Sequence, residues 1–556
     1  MASSSSILTR DVTTERSFFE IEMTSVQEDG PFDLDEEIGA LSAEREVAED
    51  ESKYPTGVKF YLIMISVGLA LIMGEMDSSI VSVAIPSITD HFHTMRDVGW
   101  YAAAYRLTVC SFQFMFGKLY SLYSLKHILL ISVVIFMVGS VMCAAAPTSA
   151  AFVAGRAMSG FASAGIISGA FCTLMEVLPL RRRPFWGGIM SNVEGIAVIA
   201  SPILGGFIVG KLGWRWCFWI NVPIGAVTFV FLLTFLKDLK PTETLPWKEK
   251  LVQVDLISNA IFVPSLTCLF LALGWAGTRN DWSSPTIIAL FVAFIVLLTG
   301  FAVMQHRRQD TATLPPRLLR NRSVLSGFIF SFCCNSTIQV VQYYLPTYFQ
   351  SVRGYTSSQS GIMMLPIIIS FLLAMVIQGS AVSLIGYYVP FMLAGSVLLP
   401  VFAGLMTTFT VDSSLAKLIF YTGLLGFGAG IGFQAPQTAV QTSLSPADAR
   451  MGLATIIFAQ HFGPAVFISA AQSIFTNRLQ ANLKGLAPSL NATSIENTSL
   501  GELRTHIRVD QLQGLLSRFD LSLVQTWYLA VALGCITMVG SLGMEWRTVK
   551  RERFRA

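Results

Sequence analysis

Six ionisable residues lie inside long apolar runs of this chain. Glu75 and Asp77 fall in the first run, Arg106 in the second, Arg156 in the fourth, Glu194 in the fifth and His461 in the thirteenth. At the centre of a bilayer each such charge costs about 2.5–3.5 kcal/mol or more, so its presence needs a reason. Low dielectric disfavours the ionised form of a carboxylate, which lets it take up and release protons near neutral pH. That is the chemistry of a proton-coupled carrier, and Asp77, Arg156, Glu75, Glu194 and Arg106 are the candidates for it. The competing reading is a structural pair, with Arg106 or Arg156 held by an acid, and His461 reads as a packing residue. A second group of side chains is polar without being charged. Gln339, Gln342, Tyr343, Gln434, Gln437, Gln441 and Gln460 recur within apolar stretches, as do Gln113, Asn221 and Tyr344. A cavity for apolar organic molecules with a few polar groups needs such residues, although hydrogen bonds between helices use them too.

The elements that position these residues follow from composition. Of the 556 residues, 53% are hydrophobic and only 13% charged, with a mean hydropathy of +0.59. A soluble domain carries about a quarter charged residues, so the chain has too few to cover a water-facing surface. It is an all-α polytopic membrane protein, and the lipid bilayer is its first partner. A bilayer core takes roughly 20 apolar residues per helix. About 14 runs of that kind are present, starting near Phe60, Gly99, His127, Ala150, Phe185, Cys217, Val252, Ser284, Arg322, Gln359, Tyr388, Ala416, Met451 and Leu521. The run at 251–274 is the weakest, because Gln253 and Asp255 stand near its start. The net charge of +3 gives no reason to expect nucleic acid as a partner. The eight cysteines all fall in apolar runs and read as small buried hydrophobes. No metal and no cofactor is expected.

Residues 1–57 are polar and acidic, with no cleavable signal peptide, and read as a disordered cytoplasmic tail. Short loops rich in Lys and Arg set the orientation. Arg181–Arg183, Lys237, Lys240, Lys248, Lys250, Arg307, Arg308, Arg317, Arg320 and Arg322 then lie on the cytoplasmic side, with the basic tail 546–556. Lys211 and Arg215 depart from the pattern. The polar stretch 477–520 falls outside and holds the glycosylation sequons at Asn491 and Asn497. Asn321 and Asn335 also begin sequons, but on the inner side or within a helix. Small residues at four-residue spacing (Gly160 and Ala164, Gly165 and Gly169, Gly426 and Gly430, Gly428 and Gly432) mark close helix contacts, and Pro202, Pro366 and Pro436 mark interruptions. Gly205 to Lys211 imitates a phosphate loop, but Leu212 replaces its Ser or Thr and no strand precedes it. Gly428, Gly430 and Gly432 imitate a dinucleotide loop within an apolar helix. Neither supports nucleotide chemistry.

Several stretches resemble the fourteen-helix drug:proton antiporters of the major facilitator superfamily, in particular fungal toxin and multidrug efflux pumps. Met76 to Pro86 (MDSSIVSVAIP) resembles their first-helix signature. Trp100 to Leu107 and Gln113 to Tyr120 resemble the second helix and the loop that follows it. Gly155 to Gly160 (GRAMSG) resembles the fourth-helix motif, whose Arg is associated with proton transfer. Gly195 to Gly206 (GIAVIASPILGG) resembles the fifth-helix motif of exporters. Trp214 to Pro223 (WRWCFWINVP), Tyr343 to Gln350, Ser360 to Pro366 and Gly426 to Gln441 complete the likeness, which covers about residues 58–545. Three positions depart from it. Ser121 stands where an acid follows Gly117 and Lys118 by the family pattern, Ser201 precedes Pro202 in place of Gly, and Arg106 stands where a neutral residue is common.

The resemblance implies the following. Two six-helix bundles, at 58–236 and 311–545, are joined through two additional helices at 237–310. Gly117, Lys118, Gly195, Ser201, Pro202, Gly205 and Gly206 form the motifs that serve conformational change. A monomer exports a small amphipathic organic molecule against protons by alternating access, at the plasma membrane or alternatively a vacuolar one. A related carrier for siderophores or vacuolar basic amino acids is the alternative. A membrane enzyme finds no supporting residue cluster.

Overall fold

The computed structural model describes residues 54–94, 97–238, 246, 249–250, 253–276, 280–483 and 509–550. The acidic tail up to residue 53, the sequons at Asn491 and Asn497, and the last six residues lie outside this range. The described chain is helical, with isolated β-bridges and no strand among the described residues. In order, α1 is Gly57–Phe92, α2 Val98–Leu122, α3 Leu125–Ala144, α4 Ser149–Val177, α5 Arg183–Leu212 and α6 Asn221–Phe235. Then come α7 Leu256–Trp275, α8 Pro285–Arg308, α9 Arg322–Thr347, α10 Leu365–Ile385 and α11 Val389–Met406. The last are α12 Leu415–Phe433, α13 Ala435–Ser443, α14 Pro446–Leu483 and α15 Val509–Gly543.

Among the described residues 13 helical segments are long and apolar enough to cross a membrane. α2 is not one of them, although it lies among them at 25 residues. Its Arg106, Gln113 and Lys118 lower its hydropathy, and those are residues with work other than facing lipid. The weak run at 251–274 is resolved by capping. Asp255 stands outside α7 as its N-cap, its Oδ1 accepting from Ser258 N at 3.2 Å. Arg308 pairs with the same carboxylate at 2.6 Å, and Asp255 is buried. Asn321, the first residue of a sequon, is likewise the N-cap of α9 and accepts from Ser323 N and Val324 N.

Lipid tails are as apolar as leucine, so helices in a bilayer gain little from hiding apolar surface and associate through close packing. α12 shows how the sequence does this. Two residues along a helix turn about 200°, so Gly426 and Gly430 face one way and Gly428 and Gly432 the other. The first pair lies on α10, where a Cβ at Gly430 would stand 2.5 Å from Phe371 O. The second lies on α11 and α9, where a Cβ at Gly428 would stand 2.9 Å from Phe402 and one at Gly432 2.7 Å from Phe330. α12 is held between its neighbours by two glycine faces.

One of the three prolines departs from the interruption expected of it, and the other two mark breaks. Pro202 sits inside a continuous α5, beside Ser201, whose hydroxyl donates to Ala197 O at 2.6 Å. Pro366 marks a break at Met364, between a short helix Ser357–Met363 and α10, and stands in the first turn of α10, where a missing N–H costs nothing. Pro436 marks a break in the same way, between α12 and α13. The cysteine reading also needs correction. Cys110, Cys143, Cys172, Cys217, Cys333 and Cys334 are buried, Cys268 is half-buried and Cys535 is exposed on α15. A helix packed on one side only turns its other side to lipid, where an apolar thiol is equally at home.

One core cluster gathers α1–α6 around Phe60, Phe116, Phe136 and Leu178, and extends onto Ala449, Leu453 and Ile457 of α14. Another gathers α9–α15 around Phe330, Tyr348, Leu425 and Trp527. A third joins α2, α7, α8, α9 and α14. Phe114 of α2 meets Phe458 of α14 with ring centroids 4.5 Å apart, and Phe262 of α7 stacks on Phe301 of α8 at 4.6 Å.

Candidate functional site

Asp77 and Arg156 form an ion pair in which neither side chain is exposed. Asp77 stands 20 residues into α1, about 30 Å from its first residue at 1.5 Å per residue. Arg156 reaches it from α4 through Nη1. Asn221, at the start of α6, donates from Nδ2 to the second carboxylate oxygen at 2.9 Å and to Ser140 Oγ at 3.2 Å. The guanidinium is fixed further by Nε, which donates to Tyr101 O at 3.0 Å, and by the Tyr105 ring, 4.6 Å away. Tyr105 is itself tied to α1, its hydroxyl donating to Gly74 O at 2.8 Å. Five helices thus meet on one carboxylate–guanidinium pair. Arg156 Nη2 has no hydrogen-bond partner among the described residues, and the guanidinium carbon lies over the Tyr105 ring. Asn221 lies within the Trp214 to Pro223 stretch, and its contact with Asp77 was not foreseen from sequence. An asparagine among aromatic residues at a helix start was the one available signal.

Glu75 points elsewhere. Two residues from Asp77, it lies on nearly the opposite side of α1. It is half-buried and within electrostatic reach of Arg106 on α2 and Glu194 on α5. Arg106 also lies within reach of His461 on α14. The six ionisable residues therefore divide between a tight ion pair and a looser group, with Tyr105 within electrostatic reach of both Asp77 and Glu75. Asp77 and Arg156 are locked inside the first helix group, whereas Glu75, Arg106, Glu194 and His461 lie where that group faces the second.

Across this boundary the two groups touch at the Lys- and Arg-rich end. Gly117 of α2 meets α14 so closely that a Cβ would stand 2.6 Å from that of Ala454. Arg450 of α14 donates to Tyr120 O at 2.8 Å and pairs with Glu176 of α4. Ser121, in the place of the family's acid, donates to Gly117 O at 3.1 Å within its own helix. Lys118 is buried. On the other side of the boundary, Gly379 of α10 lies against Pro184 and Phe185 of α5, and Arg181 donates to Ser383 O at 3.2 Å. Gln434, at the break between α12 and α13, reaches α5, donating to Ser191 Oγ and to Gly187 O.

The polar residues expected to line a cavity are spread unevenly. Gln434 and Gln437 are buried, and Gln437 donates to Gln460 Oε1 at 3.2 Å. Gln441 and Gln460 are half-buried, each with an amide atom unpaired among the described residues. Gln342 is half-buried, and Gln339 and Tyr343 are exposed on α9. Of the fifth-helix motif, Ser201 and Gly205 are buried, and a Cβ at Gly205 would stand 2.7 Å from Ile80 of α1. Pro202 and Gly206 are exposed, and Gly195 lies against Leu372 of α10. A groove of about 740 Å³ between α14 and α15, near Arg478 and Gln525, lies away from all of these residues.

The model of the Major Facilitator Superfamily matches residues 67–468. The chain is 40% identical over 511 residues to an MFS-type efflux pump, MFS1, of Arthroderma benhamiae, covering 91% of this chain and 95% of that one. It is 39% identical over 510 residues to the efflux pump aflT of Aspergillus parasiticus, covering 91% and 99%. A solved structure of a double-tryptophan mutant of XylE shares the fold with a TM-score of 0.56 at 13% identity, covering 88% of this chain and 96% of that one. Helices, motifs and relatives agree: this chain is a multi-pass membrane protein and belongs to the major facilitator superfamily.

Proposed function

We propose that the chain is a proton-coupled exporter of small organic molecules that works by alternating access, and not an enzyme. The observation that carries this reading is the placement of Glu75, Arg106, Glu194 and His461 between two helix groups that meet at the basic end. Such an arrangement alternates access when the groups rock about the site. In this reading the basic end is cytoplasmic, the bundles are 58–236 and 311–545 with two extra helices at 237–310, and the conformation is closed to the cytoplasm. Arg450–Glu176, Gly117 and Gln434 belong to the closure. Protons are taken up on Glu75 and Glu194, with Arg106 as their countercharge. The Asp77–Arg156 pair holds α1, α2, α4 and α6 together and shifts when its carboxylate is protonated. Gln437, Gln441 and Gln460 offer the substrate hydrogen bonds, with Gln339, Gln342 and Tyr343 on the α9 side. The relatives named as efflux pumps support the direction of transport.

One pH unit supplies about 1.4 kcal/mol per proton, and a charge crossing 100 mV about 2.3 kcal/mol. Together these can drive export of a neutral compound by up to about 2.5 decades per proton. We place the protein, as a monomer, in the plasma membrane. The test is transport in vesicles with an imposed pH gradient. Accumulation that collapses on adding a protonophore is the expected result. Transport that survives the protonophore but requires ATP would show the reading to be wrong.

A further inference from the structure

We infer that Arg106 receives the anionic group of a weakly acidic aromatic substrate, which makes organic anions the preferred cargo; this rests on the carrier reading above. The inference comes from the shape of the boundary between α2 and α14. Gly117, Phe114 and Arg106 lie on one side of α2, since the 11 residues from Arg106 to Gly117 make about three turns, or 16 Å. At Gly117 the helix touches Ala454 directly, and at Phe114 it touches through the Phe458 ring. At Arg106 the side chain is exposed. On α14, Ala454, Phe458 and His461 follow the same face, seven residues taking it through two turns. The helices thus part toward the end away from the basic loops, and Arg106 stands in the opening with His461 facing it.

A guanidinium presents five donors in a planar fork suited to a carboxylate or an enolate. Among the described residues, no acceptor lies within hydrogen-bond or ion-pair distance of the Arg106 fork. Glu75 and Glu194 are close enough to be felt but do not occupy it. The surroundings suit the rest of such a molecule. Phe458, Phe462, Phe332 and Phe328 form a run of facing rings, with Phe458 and Phe462 stacked at 4.9 Å, and Gln460 carries an unpaired amide nitrogen. A flat aromatic body laid against these rings, an anionic end on Arg106 and a hydroxyl or carbonyl on Gln460 would use the open fork, the ring faces and the unpaired amide. With Glu75 and Glu194 protonated, Arg106 is the charge left facing the opening, and a cationic substrate would have to approach against it.

The experiment uses the full chain in lipid nanodiscs and three fluorescent probes of one aromatic body: 7-diethylaminocoumarin-3-carboxylate, its carboxamide, and its choline ester. The wild type is expected to bind the carboxylate about 10- to 100-fold more tightly than the carboxamide, the range of a charge-assisted hydrogen bond. It is expected to bind the choline ester least. Arg106→Gln brings the carboxylate-to-carboxamide ratio to about one, and Arg106→Lys keeps part of it. A wild type that binds the carboxylate no better than the carboxamide, or that prefers the choline ester, overturns the proposal even if the variants do not fold. So does a preference that survives Arg106→Gln. Proton-driven movement of the same probes in vesicles separates this from the carrier reading. A carboxylate held through Arg106 but never moved overturns the carrier and not the site. A carboxamide exported with no carboxylate preference overturns the site and not the carrier.

Discussion

Replacing Asp77 by Asn tests what the buried pair does. The variant keeps the shape of the side chain and its bond from Asn221, but leaves the Arg156 charge uncompensated among α1, α2, α4 and α6. Breaking a buried pair on one side costs about 3–5 kcal/mol. The Tyr105 ring, 4.6 Å from the guanidinium, returns about 0.5–2 kcal/mol at most and is already present in the wild type. The new amide also turns N–H donors toward a guanidinium that only donates. Asp77→Asn should therefore lose about 3–5 kcal/mol and be poorly recovered from membranes. Arg156→Met in the same chain removes the stranded charge, and the double variant should come within about 2 kcal/mol of the wild type, because no buried charge is then left without its counterpart. Denaturant unfolding of the three proteins in one detergent gives the comparison. Vesicle transport then asks the functional question of the double variant alone, which should be folded yet unable to couple export to a pH gradient. Loss of stability in the double variant as large as in the single one would refute the electrostatic account. A double variant that is stable and fully coupled would remove the pair from the coupling mechanism.

Other perturbations probe the remaining contacts. Glu176→Gln, which takes the charge from the Arg450 pair, should loosen closure at the basic end and increase labelling of a cysteine introduced at Ala454; unchanged labelling would show that Gly117 packing alone keeps that end shut. Gly430→Leu should prevent α12 from reaching α10 and cost several kcal/mol, read as loss of monodisperse protein on a sizing column, since overpacking typically costs about 1–3 kcal/mol even where neighbours are side chains and here the neighbour is backbone. Asp255→Asn should strand part of the Arg308 charge and weaken the cap of α7, measurable as faster proteolysis near residues 253–256, whereas wild-type resistance would leave the cap without energetic weight. Glycosidase shifts on Asn491→Gln and Asn497→Gln variants should show at least one of the two to be modified, and a C-terminal tag accessible on intact cells would invert the topology.

The sequence by itself determined the membrane class, most helix starts to within a few residues, and the residues of interest; the last helix begins at Val509, about three turns before the expected Leu521, and α14 runs to Leu483, so both ends of the polar stretch 477–520 are helical. Composition left no charges to cover a wet surface, and each apolar run had to close its backbone hydrogen bonds internally as a helix. Residues at membrane depth could be found because their cost singles them out: Asp77, Arg156, Glu75, Glu194 and Arg106 were all legible as exceptions in apolar runs. The glycine pairs of α12 were legible as well, since four-residue spacing has a fixed meaning on a helix. What sequence could not supply was partnership. Asp77 and Arg156 lie 79 residues apart, and Asn221 meets Asp77 across 144. Local periodicity says which side of its own helix a residue occupies, but not which helix comes to face it. For the same reason sequence could not say that Glu75 and Asp77 face different partners, turned apart by about 200° on α1. One proline misled in the same way. Pro202 stayed inside a continuous helix, whereas Pro366 and Pro436 each followed a break. Where Arg106 and His461 meet depends on how far α2 and α14 part, and that is set by Gly117 against Ala454 and Phe114 against Phe458, contacts that form only once the two helix groups are packed together.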